Sequence, residues 1–202
     1  MNLGRLVLAS ASPRRQELLR QCGVVFDVLP AAVPECDHEH LTVAEVCLLN
    51  AHRKARTVAK QHPDRLVLAA DTLVALGSRR LGKPADRAEA FRMLAELAGR
   101  AHEVVTGVCL FELRHHRERL FAETTTVEFH PLREEQIKTY LSLVNPLDKA
   151  GAYAIQEHGE RIVAGIRGSY TNVIGLPLER LLDELRAWSG EPAASAPPPH
   201  EN

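Results

Sequence analysis

The chain carries almost no net charge: across 202 residues, 25 lysines and arginines stand against 26 aspartates and glutamates. That balance exerts no global pull toward nucleic acid or a membrane surface, so any polyanion it holds is small and held locally. Cysteines are few, at positions 22, 36, 47 and 109, and none forms a C-x-x-C pair. They read as reduced, mostly buried thiols in a cytoplasmic protein. Long apolar runs are missing too. The N-terminus lacks the apolar stretch of a signal peptide, and no segment approaches the length that spans a bilayer. There is no internal repeat, no coiled-coil heptad and no exposed apolar stripe to nominate as a partner surface. Neither G-x-G-x-x-G, G-x-S-x-G nor a cysteine–histidine nucleophile motif occurs.

What remains is enough chain to bury a real core, as one large domain or two small lobes sharing a cleft. Strand-like runs fall at 5–9, 25–29, 66–70, 73–76, 102–112, 119–129 and 161–166, and helical patterns at 13–22, 42–61, 86–98, 133–143 and 177–187. Thr42-Val-Ala-Glu45 forms a capping box for the second helix, and Asp86 caps the third, which Gly99 ends. Strands and helices interleave early, then the two longest strands follow one another. That order predicts an α/β fold with a mixed, twisted sheet, a long antiparallel pair and flanking helices. The domain is read over 1–188. The Pro-, Ala- and Ser-rich segment 189–202 is read as a disordered tail.

Three segments carry chemistry. In the first, an apolar strand ends in Ser10-Ala-Ser12-Pro13-Arg14-Arg15 and turns straight into a helix. Ser12 suits the cap and Pro13 the first helical position. Free backbone N–H groups, two hydroxyls and two guanidiniums then aim at one spot, an arrangement suited to phosphate. In the second, Asp71 and Thr72 interrupt an apolar run, Leu66–Leu76. A buried carboxylate needs partners, so Asp71 is expected at a strand end facing a cation, as a metal ligand or a general base, or else as a turn residue capping its own backbone. The third is Asn145–Gln156, where small residues flank Tyr153 and Gln156. Such a loop allows close backbone approach and amide readout of a planar base, or is simply a tight buried loop.

Other features invite misreading. Gly77-Ser-Arg-Arg-Leu-Gly82-Lys83 fits the start of a P-loop, but Pro84 follows where a magnesium-binding hydroxyl belongs. The glycines are read as a hairpin turn, with Lys83 kept as a phosphate contact. Glu35-Cys-Asp-His-Glu-His40 mixes metal-ligand types, yet consecutive loop residues cannot all face one ion. All but Glu35 are read as solvated, as is His115-His116.

Taken in order, Ser10–Arg15, Glu35, Lys54, Ala70-Asp71-Thr72, Gly82-Lys83-Pro84, Asp148–Tyr153 and Ile155-Gln156 resemble the Maf family of nucleoside triphosphate pyrophosphatases, from about residue 5 to 187. The resemblance implies a Maf/ITPase-like fold of two lobes around a central cleft. It implies hydrolysis of a nucleoside triphosphate between the α and β phosphates, with Mg2+ or Mn2+ as cofactor. By the same likeness Asp71 accepts the water's proton and, with Glu35, holds the metal; Ser10, Ser12, Arg15, Lys54 and Lys83 surround the triphosphate. Arg14, Thr72 and Gln156 match the specificity positions of the branch acting on dTTP and UTP. The alternatives are a modified or purine nucleotide such as 7-methyl-GTP, or a non-catalytic regulator of septum formation, with which the family is also associated. Ala154 stands where the family has glycine, which matters only if that position needs a positive φ. Neither nucleic acid nor membrane is expected as a partner, and a homodimer is the base-rate assembly.

Overall fold

Strand β1 (Leu6–Leu8) runs directly into helix α1 (Pro13–Gln21), with Ser12 as its cap and Pro13 in the first turn. This is a computed structural model, and it describes residues 5–190; the segment 191–202, most of the expected tail, lies outside the described residues. After β2 (Phe26–Val28) an irregular loop leads to α2 (Val43–Ala59), which begins with the expected Thr42–Glu45 capping box. Then come β3 (Val67–Leu76), β4 (Arg79–Leu81) and α3 (Arg87–Leu97), whose cap is Asp86. The long hairpin β5 (Ala101–Glu112) and β6 (Arg117–Phe129) precedes α4 (Glu134–Leu143). The chain closes with β7 (Val163–Arg167), the short α5 (Tyr170–Ile174) and α6 (Leu178–Ser189).

The seven strands form one mixed sheet in the order β2-β1-β3-β5-β6-β7, with β4 on the edge of β3. The first three strands are parallel and the rest antiparallel. The expected break at Asp71 does not occur. Residues 66–70 and 73–76 belong to one strand because β5 pairs with β3 without interruption from Val67 to Ala75. Asp71 is therefore mid-strand, neither at a strand end nor in a turn.

The interruption lies on the strand's other side. β1 pairs with β3 only at Val67 and Leu68, and β4 only from Val74 to Leu76. Between them, among the described residues, Ala69–Leu73 have no strand neighbour opposite β5.

Side chains alternate across a strand, and β3 distributes its own among three cores. Leu68 and Ala70 pack with Leu18 and Leu19 of α1 and Leu181 and Leu185 of α6. Val74, further along that face, joins Leu94 and Leu97 of α3 and Ile137 and Tyr140 of α4. Val67 and Ala69, on the opposite face, meet Ala51, Ala55 and Val58 of α2. The first two clusters are the two lobes, and a cleft opens between them beside the gap in the sheet.

A candidate nucleotide-binding cleft

The cleft has a volume of about 480 Å³, and every residue that the family resemblance assigns to the site lines it. The gap beside β3 explains how adjacent residues reach one space from opposite faces. Asp71 lies on the α2 side and Thr72 on the α1 side, and no neighbouring strand separates them. The position beyond the carboxyl end of a parallel strand, at an opening in the sheet, is where α/β proteins commonly bind ligands.

Asp71 is 4% exposed, and both its oxygens are engaged. Oδ1 is 2.6 Å from Lys54 Nζ, and Oδ2 accepts from Asn50 Nδ2 at 3.1 Å. Lys54 Nζ also stands 2.7 Å from Glu35 Oε1. Burial acts to raise the Glu35 carboxyl, but the hydrogen bond and charge of Lys54, helped by the charge of Lys83, hold it below the usual carboxylate range. Two carboxylates thus converge on the Lys54 ammonium, the buried Asp71 from the strand and the exposed Glu35 from the loop. Their hard oxygens fit Mg2+ or Mn2+, which commonly take one or two protein carboxylates and complete their shell with waters and substrate phosphates. Among the described residues no three His, Cys, Asp or Glu side chains are placed to hold one metal ion, so any ion here depends on such outside ligands.

Across the strand, Arg15 acts as a three-pronged clamp. Its Nε donates to Gly175 O at 2.8 Å, one terminal nitrogen to Ser10 Oγ at 3.1 Å and the other to Thr72 Oγ1 at 2.9 Å. Thr72 continues to Thr106 Oγ1 at 3.0 Å, and Thr106 donates to Asn172 O at 3.3 Å. Burial lowers the Arg15 guanidinium from its ordinary value, and Asp71 opposes that shift. Ser12 Oγ accepts from Arg15 N–H at 3.5 Å, which leaves the start of α1 facing the cleft.

At the rim, Arg14 bridges the lobes. It donates to Asp148 Oδ2 at 3.0 Å and to Asp148 O at 3.2 Å. Behind it Lys149, only 4% exposed, donates to Asp148 Oδ1 at 2.9 Å and pairs with Glu157 at 3.2 Å. Lys83 and Gln156 are exposed on the lining, and Gly77 turns the β3–β4 hairpin that presents Lys83.

The family model described as Maf-like protein matches residues 5–188. The chain belongs to the Maf family. It is 48% identical over 184 residues to a dTTP/UTP pyrophosphatase of Carboxydothermus hydrogenoformans, covering 91% of this chain and 98% of that one. It is 50% identical over 184 residues to a protein of the same name from Symbiobacterium thermophilum, covering 90% and 92%. A third, from Moorella thermoacetica, is 47% identical over 188 residues, covering 93% and 96%. A HAM1 protein structure from Coxiella burnetii aligns over 62% of this chain and 72% of its own, at 25% identity and a TM-score of 0.42.

Two details of this Maf chain bear on the Asn145–Gln156 segment. Tyr153 offers no hydroxyl to the cleft: its OH bonds to His102 Nε2 at 2.8 Å, and burial raises its pKa. Ala154 does not have a positive φ; its N–H and C=O both pair with the Tyr140 hydroxyl, at 3.1 and 3.3 Å. Alanine in place of the family glycine is therefore unstrained. Two cleft-side residues went unnominated, Asn50 and Lys149. The signal for Asn50 was a polar residue inside the buried stripe Val46, Cys47, Ala51, Ala55 and Val58. For Lys149 no comparable signal exists, because nothing in the loop's composition shows that it folds over the ammonium between Asn145 O, Asp148 and Glu157.

Proposed function

We propose that the cleft hydrolyses dTTP and UTP to the nucleoside monophosphate and pyrophosphate. The observation that carries this is the buried Asp71 carboxylate, fixed through both oxygens at the floor of a cleft ringed by Arg14, Arg15, Lys54, Lys83 and the start of α1. Relatives bearing that activity in their name, 46–50% identical across nearly their whole length, support the choice of substrates.

A triphosphate carries several negative charges, and a chain with almost no net charge must gather its cations locally to hold one. Lys54 of α2 and Lys83, just beyond β4, both line the cleft, while Ser10, Ser12 and the N–H groups of α1 supply neutral donors. Arg15 sets Ser10 and Thr72 in place between them. Asp71 orients the attacking water and takes its proton as the Pα–O bond to the β phosphate breaks, releasing pyrophosphate. Glu35 and Asp71 are the residues to hold a divalent ion, which when bound neutralises charge on the phosphate oxygens. Arg14, Thr72 and Gln156 read the base.

The test is pyrophosphate release from dTTP, UTP, CTP and 7-methyl-GTP, with Mg2+ or Mn2+ and with chelator. The expected result is metal-dependent release from dTTP and UTP above the other two. Preference for 7-methyl-GTP overturns the substrate assignment, and no release from any nucleotide overturns the reaction.

A further inference from the structure

Asn50 is 3% exposed, on a helix face otherwise given to Val46, Cys47, Ala51 and Ala55. A buried carboxamide is costly unless its polar atoms are paired. Here Oδ1 accepts from the Cys36 N–H at 2.8 Å, and Nδ2 donates to Cys36 O at 3.0 Å and to Asp71 Oδ2 at 3.1 Å. Both backbone groups of one loop residue and one oxygen of the strand carboxylate are thus held by a single side chain. Cys36 directly follows Glu35, and the loop has no regular structure from Leu29 to His38. Its far part is held separately, by Arg80 on Asp37 and on the His38 and Leu41 carbonyls. At the Glu35 end Arg53 meets the Cys36 thiol, while Asn50 is the side chain that bonds to the loop's backbone.

Resting on the function proposed above, we infer that Asn50 is a positioning residue: it locks the Glu35 loop to β3 so that Glu35 and Asp71 are preset to share one divalent ion with the triphosphate. Lys54 cannot do this, because an ammonium on a flexible stem attracts both carboxylates without fixing the backbone behind either. An amide of this length fits because it alone combines an acceptor for the Cys36 N–H with two donors. Groups that orient metal ligands from behind typically change metal affinity or activity 10–100-fold when removed.

The experiment compares wild type with Asn50→Leu and Asn50→Ala. Mn2+ binding is measured by electron paramagnetic resonance of the free ion, in the presence of a non-hydrolysable α,β-imido dTTP. The metal dependence of pyrophosphate release is measured in parallel. Both variants are expected to bind Mn2+ about tenfold or more weakly, with kcat at saturating metal reduced far less. On a Glu35→Gln background, the same changes should add little further loss, because the loop no longer carries a ligand to position. A purely structural role gives a different pattern: a lower Tm and a smaller active fraction, with the metal dependence of the remaining activity unchanged. That pattern, or wild-type Mn2+ affinity in a folded variant, overturns the inference while leaving the proposed reaction intact. If wild type releases no pyrophosphate, the reaction itself fails, whatever Asn50 does.

Discussion

Gly107 lies directly across the β3–β5 ladder from Asp71, and a Cβ there would come 2.4 Å from the Cys47 carbonyl carbon and 2.6 Å from its oxygen. Helix α2 rests on the sheet at the one point where the strand has no side chain. That contact sets the height of the helix above β3, and Asn50 and Lys54 follow on the same helix. Gly107→Ala must push α2 outward, since backbone cannot yield as a flexible side chain does. We expect a loss of roughly 1–3 kcal/mol in stability, as for other overpacked sites. A reduced kcat in the remaining folded protein should accompany it, because both partners of Asp71 move together. Denaturant unfolding and steady-state kinetics check this, and unchanged turnover in a destabilised variant shows that helix height is not what matters.

Asp71→Asn keeps the shape of the side chain and removes its ability to accept a proton. If the carboxylate activates water, turnover falls by about 10²–10⁴, while the fold and nucleotide binding stay largely intact. Calorimetric binding of dTTP alongside pyrophosphate release separates the two effects. Near-normal turnover assigns the base to another group, and Glu35 is then the first to examine.

Local chemistry made the helix starts legible. Ser12 with Pro13, Thr42 with Glu45, and Asp86 each satisfy N–H groups within three residues of themselves, so no distant contact is needed to read them. The site residues were found because carboxylates, serines and arginines are conspicuous in apolar or strand-to-helix contexts. The continuity of β3 was not legible, since it depends on β5, more than 30 residues away, pairing past Asp71. Nor was the missing neighbour between β1 and β4, which lets Asp71 and Thr72 share one cleft from opposite faces. Arg15 reads as a phosphate contact from its charge and its place at a helix start, but two of its three protein partners, Gly175 and Thr72, come from segments no local pattern connects to it.

Those partners make Arg15→Lys a sharper probe than removal of the charge. Lysine keeps the cation but lacks the planar fork that reaches Gly175 O, Ser10 Oγ and Thr72 Oγ1 together. If Arg15 served only to attract phosphate, lysine would restore most of the activity. The geometry predicts otherwise: kcat/KM should fall at least about tenfold and stability by roughly 1–3 kcal/mol, in line with loss of hydrogen bonds to a charged group. Kinetics on dTTP and UTP with parallel unfolding curves decide the matter, and wild-type values on both counts reduce Arg15 to a simple charge.

His102 makes stability depend on pH between about 4 and 6.5. The ring is 2% exposed, donates to or accepts from Tyr153 OH through Nε2, and packs edge-on against Phe129 and Tyr153 at 4.8 and 5.5 Å between centroids. Burial lowers its pKa from 6.5 to about 4. The unfolded chain therefore binds a proton that the folded chain refuses between those two values. The contribution is complete above pH 6.5, declines as the pH falls, and levels off below about 4. From pH 7 to pH 5 the loss amounts to roughly 2 kcal/mol for this one group. The lowered carboxyls Glu35, Asp148 and Glu179 act only near or below the ordinary carboxylate range, so they leave that interval largely to histidine. Replacing His102 with phenylalanine lowers stability at pH 7 by stranding the Tyr153 hydroxyl, but the pH 7 to pH 5 difference should shrink by about that amount. Urea unfolding of both proteins at the two pH values measures it. An undiminished difference in the variant shows that another histidine, or a structural change, carries the dependence.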